Sequence, residues 1–205
     1  MRTLSSITVG LAMAMALAAL PLQAANDAAA GRSAAATCMG CHGAPGFRNA
    51  YPAFKVPKLA GQQEQYLVVA LKSYQAGERI HPTMQAQAGA LDEATIGNIA
   101  AYLGNLKNSG GGELGDGDAV AGQAKAQLCL SCHGPGGGKP LTPQYPILAG
   151  QYPDYLAHTL GSYKSGTRNN PIMKGFAAAL SDTDIQDLAA YFASQPSELS
   201  TPTDW

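Results

Sequence analysis

The sequence has little charge and no concentrated cluster of basic residues. Of its 205 residues, 13% are Asp, Glu, Lys or Arg, and the formal net charge is −1. A protein that binds DNA or RNA usually carries a basic patch, so nucleic acid is excluded as a partner. The chain also lacks a strand-rich segment, which argues against a sheet-based fold. The composition therefore points to a mainly helical protein whose chemistry rests on a few residues.

The sequence also lacks an apolar run long enough to cross a membrane. Its longest run, residues 7–20, is shorter than the roughly 20 residues that a span needs, and Pro21 ends it. Arg2 precedes the run, and Leu22-Gln23-Ala24 offers a small-residue cleavage site. We therefore predict a secretory signal peptide over residues 1–24, with a retained membrane anchor as the alternative.

Only four cysteines occur, and all of them lie in two copies of one short pattern. Cys38-Met39-Gly40-Cys41-His42 and Cys129-Leu130-Ser131-Cys132-His133 both read C-x-x-C-H. This pattern attaches a c-type haem, because two thiols bond to one porphyrin and the adjacent histidine then lies under the iron. The sequence therefore predicts two covalently bound haem c groups, with His42 and His133 as iron ligands.

Other uses of four cysteines fit this pattern less well. Exported cysteines usually form disulfides, but the two-residue spacing and the following histidine argue against that use here. A thioredoxin-like site calls for one C-x-x-C motif beside a βαβ pattern, which is missing. Zinc would need further Cys, His or carboxylate ligands, whereas the repeat supplies methionines.

The chain is an internal repeat. Cys129 lies 91 residues after Cys38, and beyond a two-residue deletion the second half follows the first at an offset of 89. The sequence Leu-Ala-Gly-Gln recurs at 59–62 and 148–151, and a Gly/Asp-rich stretch separates the halves. We predict cytochrome c domains over residues 25–107 and 119–205, joined by a linker over residues 108–118.

Each half is predicted to be all-α. Asp27 and Asp118 are expected N-caps of a short helix that ends at the first cysteine of each motif. A middle helix should end near Gly77 or Gly166. A last helix should start at Asp92 or Ser181 and bury one stripe of residues. The stripe is formed by Ile96, Ile99, Ala100 and Leu103 in one half and by Ile185, Leu188, Ala189 and Phe192 in the other.

An iron with a histidine on one side needs a second ligand on the other side. Outside the predicted leader and the motif histidines, the candidates are Met39, Met84, Met173, His81 and His158. Met39 lies inside the attachment motif, on the histidine side, so it cannot reach across the ring.

The repeat decides among the remaining candidates. Met84 and Met173 occupy equivalent positions, whereas neither His81 nor His158 has a histidine at its equivalent position. Each methionine follows a proline by two residues, in a stretch expected to be a loop leading to the last helix. We therefore predict His/Met ligation at both irons, which favours a comparatively high reduction potential. His81 and His158 are expected to be surface or packing residues.

Two arginines recur at equivalent positions close to the ligand methionines. Arg79 and Arg168 either pair with haem propionates or lie solvated on the surface, and the sequence favours neither. Two alternatives also hold for the four repeated tyrosines. Tyr66, Tyr74, Tyr155 and Tyr163 either line the haem pockets or pack in an amphipathic core, and core packing is favoured.

The tandem motifs, the matched methionines and the leader together resemble the dihaem cytochrome c4 family of bacterial periplasmic electron carriers. The resemblance covers essentially the whole mature chain. It implies two class I cytochrome c domains that face one another, with haem propionates near the interface. It also implies that the first and last helices of each domain cross where a small residue meets an aromatic one, at Gly31 with Tyr102 and at Gly122 with Tyr191.

The resemblance implies an electron carrier that takes electrons from a quinol-oxidising membrane complex towards a terminal oxidase. Irons with both axial positions filled need not bind substrate, so we do not expect an enzyme. The alternative is the electron-accepting subunit of an enzyme such as flavocytochrome sulfide dehydrogenase, with a flavoprotein as partner. Peripheral membrane association is compatible with both.

Charge differs between the two halves. Residues 25–107 carry seven basic and five acidic residues, and residues 119–205 carry five basic and six acidic ones. This asymmetry predicts that the two domains prefer different partners. Lys55 and Lys58 are the lysines at which we expect docking to depend on charge.

Overall fold

The computed structural model describes residues 26–106, 110 and 112–203. The predicted signal peptide, residues 1–24, and part of the predicted linker lie outside the described residues. Within the described ranges the chain forms ten α-helices and no β-strand, which confirms the all-α prediction. No helix in these ranges is long and apolar enough to cross a membrane. The exact domain boundaries stay a prediction.

The helices form two successive sets of five. The first set is α1 (Ala28–Ala34), α2 (Met39–His42), α3 (Glu64–Gln75), α4 (Pro82–Gly89) and α5 (Glu93–Asn105). The second set is α6 (Ala119–Lys125), α7 (Gln127–His133), α8 (Pro153–Ser165), α9 (Pro171–Ala177) and α10 (Asp182–Ser194). The matching order shows that the sequence repeat is a structural repeat.

Side-chain caps fix where the helices begin. The carboxylate of Asp27 accepts from the first backbone N–H groups of α1, and Asp118 does the same for α6. Asp92 caps α5, and Ser181 forms a reciprocal capping box with Asp184 at the start of α10. The predicted starts of the first and last helix of each half are therefore confirmed.

The first helix of each half is predicted to end at the first cysteine of the motif, and this prediction is wrong, because helical backbone continues through the motif. In the first half a 3₁₀ turn, Ala35–Thr37, leads into α2, and in the second half α7 contains the whole motif. No glycine or proline separates the first helix from the cysteine, so nothing in the local sequence ends the helical path. The motif histidine consequently lies in the last turn of a helix.

Each half has its own hydrophobic core. The predicted stripes on α5 and α10 are buried in full and pack with residues of the first and middle helices. Helix α1 crosses α5 at Gly31, where an added Cβ would lie 1.9 Å from the carbonyl oxygen of Asn98 and 2.9 Å from Cβ of Tyr102. Helix α6 crosses α10 at Gly122, 2.8 Å from Cβ of Tyr191. Both expected crossings are confirmed.

The two halves meet through reciprocal hydrogen bonds. The amide of Gln62 donates to the carbonyl of Ile147 (3.0 Å) and accepts from its N–H (2.9 Å). The amide of Gln151 makes the same pair of bonds with the backbone of Lys58, at 3.0 and 2.9 Å. Gln62 and Gln151 are repeat-equivalent, and so are Ile147 and Lys58. The interface therefore has an approximate two-fold symmetry.

Two further backbone pairs connect the halves. Ile80 donates to the carbonyl of Thr167 (3.1 Å), and Asn169 donates to that of Glu78 (2.6 Å), again in a symmetry-related manner. After α10 the chain returns to the first half, where Ser200 pairs with Ala60 through two bonds of 3.0 Å. The last described residues thus help to fix the two halves together.

Lys55 and Lys58 belong to this interface and not to a free docking surface. Lys58 is buried, its Nζ donates to the carbonyl of Gly150 (2.6 Å), and it lies over the ring of Tyr152. Lys55 forms an ion pair with Glu113. Both lysines therefore take part in contacts within the molecule, and the dependence of docking on their charge stays a prediction.

We predict that Gly122→Ala destabilises the protein, since its methyl group would meet the carbonyl of Asp187 at 2.0 Å. Overpacking of this kind costs about 1–3 kcal/mol. Gly161→Ala in α8 is the matched control, because nothing lies within 4 Å of its added Cβ. Alanine there should be neutral or stabilise by up to about 1 kcal/mol. Denaturant unfolding of both variants measures the difference, and equal stabilities would contradict close packing at Gly122.

Candidate cofactor-binding site

A cavity lies beside the C-x-x-C-H motif of each half, and the predicted site residues line it. The first cavity, of about 190 Å³, is lined by Cys38, Cys41, His42 and Met84, among others. The second cavity, of about 230 Å³, is lined by Cys129, Cys132, His133 and Met173 in the same way. The structure therefore brings together the four residues that the sequence predicts in each half.

Each motif histidine is buried and held by a backbone carbonyl. Nδ1 of His42 lies 3.0 Å from the oxygen of Pro57, and Nδ1 of His133 lies 3.0 Å from that of Pro146. Because a carbonyl only accepts, Nδ1 carries the proton and Nε2 keeps its lone pair for a metal. Burial lowers the pKa of both rings, which favours the neutral form that binds iron.

Met84 and Met173 lie in the first turn of a helix, not in a loop as predicted. Pro82 and Pro171 begin α4 and α9, where the fixed φ of proline suits the first helical position. The backbone N–H of Met84 donates to the His81 side chain (3.3 Å), and that of Met173 donates to Asn170 (3.0 Å). These caps fix the backbone that carries each thioether.

The two remaining histidines have structural roles, in line with the expectation of packing residues. His81 is the N-cap of α4, which explains why asparagine occupies the equivalent position in the other half. His158 stacks on Phe54, with ring centroids 4.1 Å apart. Met39 is buried among the core residues of the first half.

No disulfide bond joins the four cysteines of the described chain. Burial raises the pKa of Cys38 and of Cys129, so neither resembles the low-pKa thiolate of a redox-active cysteine. In the part of the chain that the structure describes, no cluster of three or more His, Cys, Asp or Glu side chains is arranged to hold a metal ion.

Arg79 and Arg168 are buried side by side between the two cavities. Each is 7% exposed, and their backbones pair where the halves meet. Arg168 donates to the hydroxyl of Tyr66 across the interface (3.1 Å) and to that of Thr159 (3.1 Å). Both arginines line both cavities, as do Tyr66 and Tyr155. The solvated-surface alternative for the arginines is therefore wrong.

The pair of arginines creates a strong cationic field. Burial alone would raise the pKa of Tyr66, but the charges of Arg79 and Arg168 outweigh it and lower this pKa to about 8. Neither arginine forms an ion pair with a carboxylate of the described residues, and Nε of Arg168 has no hydrogen-bond partner. Two buried cations without anions suit a cofactor that carries its own carboxylates, as haem does.

Sequence reasoning missed the two prolines and the two glutamines that position the site. Pro57 and Pro146 are repeat-equivalent, so the alignment held a signal for them. A proline in a sequence does not indicate that its carbonyl oxygen accepts a hydrogen bond from a histidine. Gln62 and Gln151 stood inside the matched Leu-Ala-Gly-Gln sequences, but a match between halves does not reveal contacts across them.

Comparisons with known proteins agree with this geometry. Residues 28–107 match the family model described as cytochrome c, and residues 117–192 match the one described as cytochrome c oxidase, cbb3-type, subunit III. Cytochrome c4 of Pseudomonas aeruginosa is 36% identical over 92% of this chain and 98% of its own length. A thiosulfate dehydrogenase electron acceptor of Thiomonas intermedia is 33% identical over 79% of this chain and 80% of its own.

A solved structure shares the fold. Thiosulfate dehydrogenase (TsdBA) of Marichromatium purpuratum superimposes with a TM-score of 0.72 at 33% identity. The match covers 82% of this chain and 40% of that one, so this chain corresponds to less than half of that protein.

The fold, the two cavities and the family matches define a c-type cytochrome that carries two covalently bound haem c groups and transfers electrons. Its partners are redox proteins. The chain belongs to the cytochrome c4 family.

We predict that Arg168→Gln lowers the reduction potentials of both haem centres. Arg168 lines both cavities, and loss of a buried positive charge favours the more positive, oxidised iron. Arg32→Gln on α1 is the control, because Arg32 is exposed. Spectroelectrochemical titration resolves the two centres. A change at neither centre, or an equal change in the control, would contradict the placement of Arg168 between the cavities.

Proposed function

We propose that the protein is a periplasmic electron carrier with two closed His/Met centres, formed by His42 with Met84 and by His133 with Met173. The observation that carries the proposal is that each half repeats the same pair on separate helices around one cavity. Together the histidine and the methionine of each pair would hold the iron and would leave no position for substrate. Such centres change oxidation state without binding a substrate.

Hydrogen bonds within the chain fix the positions of the residues that would hold each haem. Each haem, when bound, supplies a one-electron iron couple. The thiols of each C-x-x-C-H motif would hold the porphyrin covalently, and the proline carbonyls orient His42 and His133 by their Nδ1–H groups. The caps of α4 and α9 fix Met84 and Met173. A preset ligand geometry needs little rearrangement when the charge of the site changes.

Arg79 and Arg168 have a second role in the proposal. Their guanidinium groups would bind the haem carboxylates, and both arginines border both cavities. In this arrangement the carboxylates of each cofactor would lie toward the interface between the halves. The approximate two-fold symmetry of the hydrogen bonds at that interface supports the arrangement.

The cellular setting follows from the family and the leader. A secretory signal peptide over residues 1–24 would deliver the chain to the periplasm, with domains over residues 25–107 and 119–205 joined by residues 108–118. Periplasmic attachment of haem c suits that location. We propose that the donor is a quinol-oxidising membrane complex and that the acceptor is a terminal oxidase.

A second function is favoured by a specific observation. The chain is 33% identical to a thiosulfate dehydrogenase electron acceptor, and its fold matches 40% of the chain of a thiosulfate dehydrogenase. By this analogy the protein would accept electrons from a thiosulfate-oxidising enzyme. The alternative given by the sequence analysis, a flavoprotein such as that of flavocytochrome sulfide dehydrogenase, is a third donor to be tested.

The functions are separated by supplying one donor at a time. Host membranes with a quinol should reduce the protein, and the same membranes should reoxidise it in air, if it serves respiration. Membranes that neither reduce nor oxidise it would overturn the respiratory function. If the membranes neither reduce nor oxidise the protein, rapid reduction by the host's thiosulfate-oxidising extract would establish the second function.

We predict that Met84→Leu and Met173→Leu each open one iron while the haem stays attached. Each variant should lose half of the sulfur-to-iron charge-transfer absorption, bind carbon monoxide and lower the potential of one centre. Leucine is chosen because it keeps the volume of methionine. Met39→Leu is the control, since Met39 is buried in the core of the first half. Unchanged spectra in both ligand variants would contradict the assignment.

A further inference from the structure

Two glutamines reach from one half to the other and bind the backbone there in the same way. Gln62 and Gln151 are both buried, each 4% exposed. Oε1 of Gln62 accepts from the N–H of Ile147 (2.9 Å), and Oε1 of Gln151 accepts from that of Lys58 (2.9 Å). A backbone N–H can only donate, so these bonds identify the oxygen of each side-chain amide. Each glutamine therefore offers a buried acceptor to the opposite half.

The peptide group that each glutamine binds is the same one that holds a motif histidine. The N–H of Ile147 and the carbonyl of Pro146 belong to one planar peptide group. That carbonyl lies 3.0 Å from Nδ1 of His133, which donates to it. The equivalent peptide group, between residues 57 and 58, binds Nδ1 of His42 at 3.0 Å. A single peptide group thus connects a glutamine of one half with a histidine of the other, at both places.

Each glutamine is also fixed to the core of its own half through the glycine before it. The N–H of Gly61 donates to the carbonyl of Leu103 in α5 (3.0 Å), and that of Gly150 donates to the carbonyl of Phe192 in α10 (2.9 Å). Both glycines have a positive φ, of 80° and 70°, which residues with a side chain seldom adopt. The turn that carries each glutamine is therefore anchored on the last helix, and its reach across the interface is preset.

Hydrogen bonds that follow one another in a chain strengthen each other. An N–H that donates polarises its peptide group, so the carbonyl of the same group becomes a better acceptor. A histidine that donates to a better acceptor is a more basic metal ligand, with a fixed ring orientation. A more basic ligand favours the more positive, oxidised iron and lowers the reduction potential. The acceptor of each glutamine should therefore act on the iron of the opposite half.

We propose that Gln62 is a positioning residue for the centre that contains His133, and that Gln151 is one for the centre that contains His42. The inference rests on the proposed ligation of both irons by these histidines. The assignment is crossed, because the glutamine of each half orients the histidine of the other half through one peptide group. A half by itself would have its own cysteines, histidine and methionine but would lack this support for its histidine.

The test removes one glutamine acceptor at a time without a change of charge. Gln62→Leu and Gln151→Leu each lose the acceptor and keep a side chain of similar size. Gln62→Glu is a milder variant, because it keeps an oxygen for the N–H of Ile147. Tyr152→Phe is the matched control. It also removes a buried acceptor, the hydroxyl that binds the N–H of Gly46 in the opposite half (3.1 Å), and Tyr152 lines neither cavity.

We expect Gln62→Leu to raise the reduction potential of the centre that contains His133 and to change the other centre less. Deuterium exchange of the His133 Nδ1 proton, followed by NMR of the reduced protein, should become about tenfold faster, which corresponds to about 1.4 kcal/mol. Gln151→Leu should have both effects on His42 and its centre. Gln62→Glu should keep the slow exchange, and Tyr152→Phe should alter neither histidine.

Other patterns would overturn the crossed assignment. Equal effects of Gln62→Leu on both centres, or effects of the same size in Tyr152→Phe, would show that the glutamines only hold the halves together. If Gln62→Leu does not fold, exchange in Gln62→Glu decides, because fast exchange contradicts the proposal and slow exchange supports it. In the original protein, the ring protons of His42 and His133 should show the large NMR shifts of haem-bound ligands. Their absence would instead overturn the proposed function itself.

Discussion

Two buried arginines that pair with no carboxylate of the described residues are the constraint on which the structure depends. Arg79 and Arg168 lie where the halves meet, and burying charges without anions costs several kcal/mol per ion. The hydroxyl of Tyr66 offers only partial compensation, as its pKa of about 8 indicates. Haem carboxylates would provide the missing anions. Cofactor attachment and association of the two halves are therefore coupled, because the same cations border both cavities.

The approximate two-fold symmetry of the interface follows from that constraint. Gln62 and Gln151 each clamp the backbone of the opposite half, one residue after the carbonyl that holds the opposite motif histidine. A shift between the halves would therefore disturb the orientation of both histidines. The interface is thus part of both sites, although each half has its own core and its own helix crossing.

Local features were predictable because their causes are local. The C-x-x-C-H motifs, the caps at Asp92 and Ser181 and the buried stripes of the last helices depend on residues close in sequence. The repeat singled out Met84 and Met173, but the segments that contain them were expected to be loops, because proline occurs in turns as well as at the first position of a helix. Contacts between halves escaped as well, since Lys58 looks like a surface lysine until its neighbours from the other half are known.

The symmetry that builds the interior is broken at the surface. Residues that hold the cofactors have the same identity in both halves, because the same chemistry constrains them. At the cavity openings the constraint from the cofactor ends, and leucine, isoleucine and phenylalanine replace two threonines and a glutamine. Leu128, Ile172 and Phe176 line the second cavity and are also partly exposed to solvent. The sequence repeat is therefore exact where the cofactors impose the same chemistry on both halves, and it diverges where that chemistry ends.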